Sequence, residues 1–168
     1  MKPMVLIVMG SDSDSPVMEA AEDMLRRLDI PYELTIASAH RTPDRSVRIA
    51  QEAEKRGVEV IIAGAGMAAH LAGALAAHTI LPVIGVPIDS SPLQGLDSLL
   101  STVQMPPGVP VATVSIGKNG AKNAAILAAQ ILARKDPNVA GRLRKFKKSM
   151  AEEVEKKAGS LRGRKRQE

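Results

Sequence analysis

The sequence predicts an α/β fold: a central parallel sheet with helices on both faces and one more helix appended at the C-terminal end. Three observations carry this. Five short apolar runs recur along the 168 residues, and stretches with helical spacing of apolar residues lie between them. The runs are apolar almost throughout, as strands buried on both faces are, and alternation with helices reads as βαβ units around a parallel sheet. The chain is 45% hydrophobic yet holds one Tyr, one Phe and no Trp, so its core is built from Ala, Val, Ile, Leu and Met. Such small side chains suit close packing of helix on sheet.

The elements follow in order. "MVLIVM" (4–9) is the first strand, and "MGSDSDSP" (9–16) turns the chain into a helix over 17–28, with Ser15 as a cap before Pro16. "YELTIA" (32–37) is the second strand, followed by Thr42 as a cap before Pro43 and a helix that Gly57 closes. "VEVIIAG" (58–64) precedes a helix over 68–78, "PVIGV" (82–86) one over 96–103, and "VPVATV" (109–114) one over 119–133. From Asp136 onward, Val139, Leu143, Phe146, Met150 and Val154 form an apolar stripe on a charged helix that must cover something, a neighbouring subunit being one candidate. The organisation is thus an α/β domain over 1–134, a helical arm over 135–159 and a disordered basic tail over 160–168.

Composition narrows the function classes. The formal charge is +5, with 13 Lys and Arg against 5 acidic residues in 134–168, so a mildly acidic body carries a basic tail. No nucleic-acid-binding motif accompanies that tail and stacking aromatics are nearly absent, so nucleic acid is not the expected partner. The absence of Cys excludes disulfides and thiolate chemistry and is compatible with a reducing cytoplasm. The opening apolar run is too short for a signal peptide or a membrane span, so a soluble cytoplasmic protein is expected. Nucleophile-elbow, Walker and zinc-ligand patterns are missing.

In an open parallel sheet ligands sit beyond the carboxyl ends of the strands, so the strand-end loops are where chemistry is sought. After the first strand, Gly10 permits a tight turn and Ser11, Ser13 and Ser15 offer hydroxyls beside helix N–H groups, an anion site in outline. Asp12 and Asp14 there suit sugar hydroxyls better than phosphate. In "SAHRTPD" (38–44), His40 can shuttle a proton and Arg41 can grip an anion; a surface His and an Arg paired with Asp44 is the structural alternative. "GAGMAAHLAG" (64–73) contains G-x-G-x-x-A, but in the wrong strand for a dinucleotide site. Its small residues either let backbone approach a flat ligand near His70 or serve helix packing. Ser90, Ser91 and Gln94 are candidates to face the site and Gln104–Pro107 to wall it; here sequence does not separate function from loop geometry.

Taken together, "MGSDSD", "SAHRTPD", "VIIAGAGMAAHLAG", "PVIGVP", "GLDSLLSTVQMPPGVPVATVSIG" and "NAAILAAQIL" resemble, in order and spacing, the class I PurE family of N5-carboxyaminoimidazole ribonucleotide mutases, over about residues 3–134. The resemblance implies a flavodoxin-like three-layer α/β/α fold, a homo-octamer with active sites at subunit junctions, a small ribonucleotide substrate, and neither metal nor organic cofactor. It implies an isomerase of purine biosynthesis that moves a carboxylate from an exocyclic nitrogen to ring carbon C4. His40 would be the catalytic proton shuttle. Ser11 and Arg41, assisted by Ser13 and Ser38, would hold the phosphate, Asp14 the ribose hydroxyls, and Ala65, Gly66 and His70 the base and CO2 pocket. Asp12 is left without a role. Met67 and Ala72 depart from the family's commoner "GAGGAAHLPG". Two other readings are a CO2-dependent carboxylase on the same scaffold, disfavoured because its class carries a "GRSN"-like segment here, and a non-catalytic nucleotide-binding protein, for which an intact His40 is unneeded.

Overall fold

A strand whose every side chain is apolar must be covered on both faces, and the chain does this by distributing its helices over both sides of one sheet. The computed structural model describes residues 2–162. The strands are β1 (Val5–Met9), β2 (Tyr32–Ile36), β3 (Val60–Gly66), β4 (Val83–Ile88) and β5 (Ala112–Thr113), all parallel in the order β2-β1-β3-β4-β5. The helices are α1 (Ser15–Arg27), α2 (Pro43–Ala53), α3 (Leu71–Ala76), α4 (Leu96–Val103), α5 (Gly117–Leu132) and α6 (Pro137–Arg162). This is the flavodoxin-like order, in which the chain builds outward from β1 to one side, then returns to build on the other.

The two-residue period of a strand sorts the side chains into two cores. Val5, Ile7, Met9, Val60, Ile62 and Ile84 pack beneath α1, α5 and the start of α6. Leu6, Val8, Ile61, Ala63 and Val83 pack beneath α2 and α3. Burying a side chain of the size of Leu6, Ile7, Ile61 or Ile62 contributes about 1.5–3 kcal/mol. The inner face of α5 is Ala121, Ala124, Ala125, Ala128, Ala129 and Leu132, all buried, and alanines on this face let it press closely on α1 and the sheet.

The differences from the sequence reading have local causes. The fifth strand pairs only over Ala112–Thr113, because it is an edge strand entered through Pro110, which has no N–H to give, after a turn with Gly108 at φ +93°. The helix expected over 68–78 is α3, Leu71–Ala76, since Met67 and Ala69 adopt left-handed backbone that no helix accommodates. Ser15 is already inside α1, where a short 3-10 turn, Asp12–Asp14, leads in; Asp14 is the cap position and makes no side-chain cap bond. Thr42 occupies the cap of α2 but turns its hydroxyl back to Ser38 instead. Gly57 does end the second helical stretch, at φ +94°.

Asp136 caps α6 by accepting from the N–H groups of Asn138 (2.8 Å) and Val139 (3.3 Å). The apolar stripe divides. Val139, Leu143 and Phe146 are buried in the core of their own chain, with the Arg27 guanidinium 4.9 Å from the Phe146 ring centroid, so this half does not cover a neighbour. Met150 and Val154 are 42% and 64% exposed. The helix continues through residues 160–162, which the sequence reading assigned to the disordered tail; 163–168 lie outside the described residues. Among the described residues no helix is long and apolar enough to cross a membrane.

Candidate functional site

The strand order reverses between β1 and β3, and the loops leaving their carboxyl ends part there to open a cleft. Gly10 keeps the two strands joined at its floor by donating its N–H to Gly64 O at 3.0 Å. The chain then tightens into the 3-10 turn, with Ser11 and Asp14 bonded reciprocally: Ser11 N–H donates to Asp14 Oδ2 at 3.0 Å, and Asp14 N–H donates to Ser11 O at 3.2 Å. Asp14 is 4% exposed. Burial pushes its carboxyl above the ordinary value, and the N–H groups of Ser11 and Gly10 oppose that rise.

Asp12, which the sequence reading left unassigned, organises the serines. Its Oδ1 accepts from Ser11 Oγ (2.9 Å) and Ser13 N–H (3.0 Å), and Ser13 Oγ donates to Ser11 Oγ at 3.0 Å. These bonds, the Ser11 hydroxyl first, hold the exposed Asp12 carboxyl below its ordinary range. The result is a relay of hydroxyls aimed at the cleft and pinned from behind by a carboxylate.

The second wall is the loop after β2. Thr42 Oγ1 accepts from Ser38 N–H at 3.0 Å and donates to Ser38 O at 3.1 Å, while Ser38 Oγ accepts the Arg41 N–H at 3.1 Å. This closed loop lifts His40 and Arg41 out over the cleft. Arg41 makes no ion pair among the described residues, and the alternative pairing with Asp44 is not formed. Arg45, one turn on, is instead tied to Ile36 O (2.9 Å) and Thr35 Oγ1 (3.0 Å). The Arg41 guanidinium, whose Nε donates to Ser38 Oγ at 3.5 Å, stands beside the serine hydroxyls without a carboxylate partner among the described residues, and together they have the donors that a phosphate accepts.

The third wall is the turn from β3 into α3. The two glycines of the G-x-G-x-x-A pattern are accounted for by packing: a Cβ on Gly64 would overlap Met18 Sδ, and one on Gly66 would overlap Ser90 Oγ. His70 heads α3, and its Nδ1 is hydrogen-bonded to His40 Nε2, with the rings edge to face and 4.5 Å between centroids. One imidazole donates and the other accepts, so the bond orients the two rings against each other at the cleft.

These walls enclose a cavity of about 460 Å³. Ser11, Ser13, Asp14, Ser38, His40, Arg41, Ala65, Gly66 and His70 all line it, so the residues to which the family resemblance gave roles meet in one place. Ser90 lines it as well; Ser91, Gln94 and Gln104–Pro107 do not. Ala39, Ala68, Ala69 and Leu71 were missed, having no chemistry to announce them. A second opening of about 560 Å³ lies between the ends of β1 and β2, and Ser11, Ser38 and Arg41 belong to both. The arrangement can hold an anionic group at the serine and Arg41 end and transfer a proton at the His40 end.

Comparison with known proteins gives the same direction. A model of AIR carboxylase matches residues 4–153. The N5-carboxyaminoimidazole ribonucleotide mutase of Pyrococcus horikoshii is 59% identical over 160 residues, 95% of this chain and 89% of that protein. The mutase of Thermotoga maritima is 60% identical over 159 residues, 95% of this chain and 92% of that one. In three dimensions the crystal structure of Treponema denticola PurE superposes with a TM-score of 0.85 at 31% identity, covering 95% of this chain and 98% of that one. With the family model matching residues 4–153 and sequence likeness running through nearly the whole length, the chain belongs to the AIR carboxylase family.

Proposed function

We propose that this protein is an N5-carboxyaminoimidazole ribonucleotide mutase, an isomerase of purine biosynthesis that moves the carboxylate from the exocyclic nitrogen to ring carbon C4. The observation that carries the reading is the cavity in which Arg41, without an ion-pair partner among the described residues, three serine hydroxyls and the His40–His70 pair converge. The high identity to proteins named as mutases supports it.

The reaction needs one proton taken and one returned. The N–CO2 bond breaks with its electron pair going to the nitrogen, which accepts a proton; CO2 is left in the cavity. The electron-rich ring then attacks CO2 through C4, and the C4 proton is removed. His40 serves both steps as acid and then base, and His70 orients it through their shared hydrogen bond. Ser11, Ser13, Ser38 and Arg41 hold the ribose phosphate, Asp14 the ribose hydroxyls, and Ala65, Gly66 and His70 the ring and CO2. Neither metal nor organic cofactor is called for by this chemistry.

The protein works in the cytoplasm as a homo-octamer with its sites at subunit junctions. Leu93, Leu96, Leu100 and Val103 on and before α4, together with Ile36 and Ile80, leave apolar surface that an assembly would cover. Light scattering reads the mass directly, and a monomer at micromolar concentration contradicts the octamer. The activity is tested by giving the purified protein N5-carboxyaminoimidazole ribonucleotide in bicarbonate-free buffer. Formation of 4-carboxy-5-aminoimidazole ribonucleotide is expected; product formed only from aminoimidazole ribonucleotide plus bicarbonate would make the protein a carboxylase instead.

A further inference from the structure

The turn from β3 into α3 is strained in a particular way. Met67 has φ +54° and Ala69 φ +39°, and the turn closes with Ala69 N–H on Gly66 O at 3.0 Å. Two side-chain-bearing residues in the left-handed region within three positions are costly, because Cβ crowds the backbone there and only glycine escapes. Such strain persists where the surroundings impose it, and here a buried Ala69 and a His70 bonded to His40 do so. The backbone of the turn asks for no methionine. What Met67 adds is a long apolar side chain, 61% exposed, on the lining of the cavity.

That cavity has unlike walls. Ser11, Ser13, Ser38 and Arg41 come from the loops after β1 and β2, whereas Ala65, Gly66, Ala68, Ala69 and Leu71 come with Met67 from the end of β3 and the turn into α3. A ligand anchored by an anion on the polar walls would set its flat base against the apolar one, beside a thioether on three rotatable bonds. We propose that Met67 is an apolar cover for the base end, folding over the ring of the bound nucleotide with a sulfur–ring contact and closing the route by which CO2 would leave.

This rests on the mutase reading. Between the two half-reactions the migrating group is CO2, uncharged and apolar, which no ion pair retains. Only walls that exclude water keep it near C4, and an apolar side chain at the mouth supplies one.

The test uses the full chain and three variants. M67A keeps a side-chain-bearing residue and removes the cover, M67G removes cover and strain, and M67L restores apolar bulk. Calorimetric titration with aminoimidazole ribonucleotide and with ribose 5-phosphate comes first: M67A and M67G weaken the former about fivefold and leave the latter unchanged, and M67L recovers most of the loss. Turnover of the carboxyamino substrate with carbon-13 bicarbonate in the buffer follows. Label in the product rises several-fold in M67A and M67G and falls back in M67L. Equal ring-dependent affinity and equal label in the wild type and M67A overturn the cover. M67G melts above M67A, and a melt at or below it overturns the claim that the position carries strain. If the wild type does not convert the substrate at all, the mutase reading is what fails, and the titrations still decide whether Met67 covers a ring.

Discussion

Replacing Asp14 separates two effects that the site combines. Its carboxylate is buried and accepts from the Ser11 N–H at 3.0 Å, so Asp14→Ala removes a bond to a charged acceptor, worth about 1.5–3 kcal/mol. Against that loss stands the relief of no longer burying a charge, whose presence is visible in the upward push on the carboxyl. The net expectation is a destabilisation of about 1–2 kcal/mol, or about 2–8 °C in Tm for a domain of this size. Asp14→Asn keeps an acceptor and sheds the charge, and is expected to lie within about 1 kcal/mol of the wild type. The pH dependence follows from the same direction. Burial raises the folded-state value, so the folded chain keeps this proton to higher pH than the unfolded chain, whose group titrates near 3.8. Asp14 therefore contributes a stability term present below that value and lost as pH rises through the higher folded value. Thermal melts from pH 3.5 to 7 on wild type and Asp14→Asn, at one protein concentration, should differ by this falling component, absent from the variant. Identical pH slopes, or Asp14→Asn melting as low as Asp14→Ala, would refute the reasoning.

Other expectations follow from the same geometry. Arg41→Ala, by removing the cation that lines the cavity beside the serine relay, should weaken phosphate-bearing ligands by about 10- to 100-fold and leave the melting temperature nearly unchanged; calorimetric titration with ribose 5-phosphate reads it. His70→Ala should lower kcat by more than it weakens aminoimidazole ribonucleotide binding, since it both lines the ring end and orients His40; an unchanged kcat rejects the orienting role. Phe146→Ala, which empties a core position that α6 fills beneath Arg27, should cost about 3 kcal/mol in denaturant unfolding. A cost under about 0.5 kcal/mol would mean that the start of α6 is not part of the core.

The sequence discloses the fold where one residue class dominates a stretch. "MVLIVM" and "VEVIIAG" could only be doubly buried strands, and both lie at the centre of the sheet. The order of the strands is not written in any run, since it depends on which side each crossover takes. The same holds within the site. Ser11, His40 and Arg41 announce themselves as residue types in loops after strands, yet the bond between His40 and His70 spans 30 positions and exists only because β1 lies between β2 and β3. Asp12 looked like an obstacle to an anion and turns out to pin the serines, which depends on a 3-10 turn that no spacing announces. Two helix starts misled for a related reason. Ser–Pro and Thr–Pro pairs are caps by propensity, but Thr42 was claimed by Ser38 and Ser15 was displaced by the turn ahead of it. The apolar stripe of α6 gave the helix, but its first half, Val139, Leu143 and Phe146, covers the chain's own core, because periodicity shows that a face is covered without showing by what.

The central claim is that His40 moves the proton in a carboxyl migration while the serine and arginine end only holds the ligand. The most direct test is His40→Asn, compared with wild type for turnover of N5-carboxyaminoimidazole ribonucleotide in bicarbonate-free buffer and for affinity toward aminoimidazole ribonucleotide. Turnover is expected to fall by about 100-fold or more, in line with the loss of a general acid–base, with affinity held within about threefold. Turnover close to wild type, or affinity lost in step with turnover, would contradict the account.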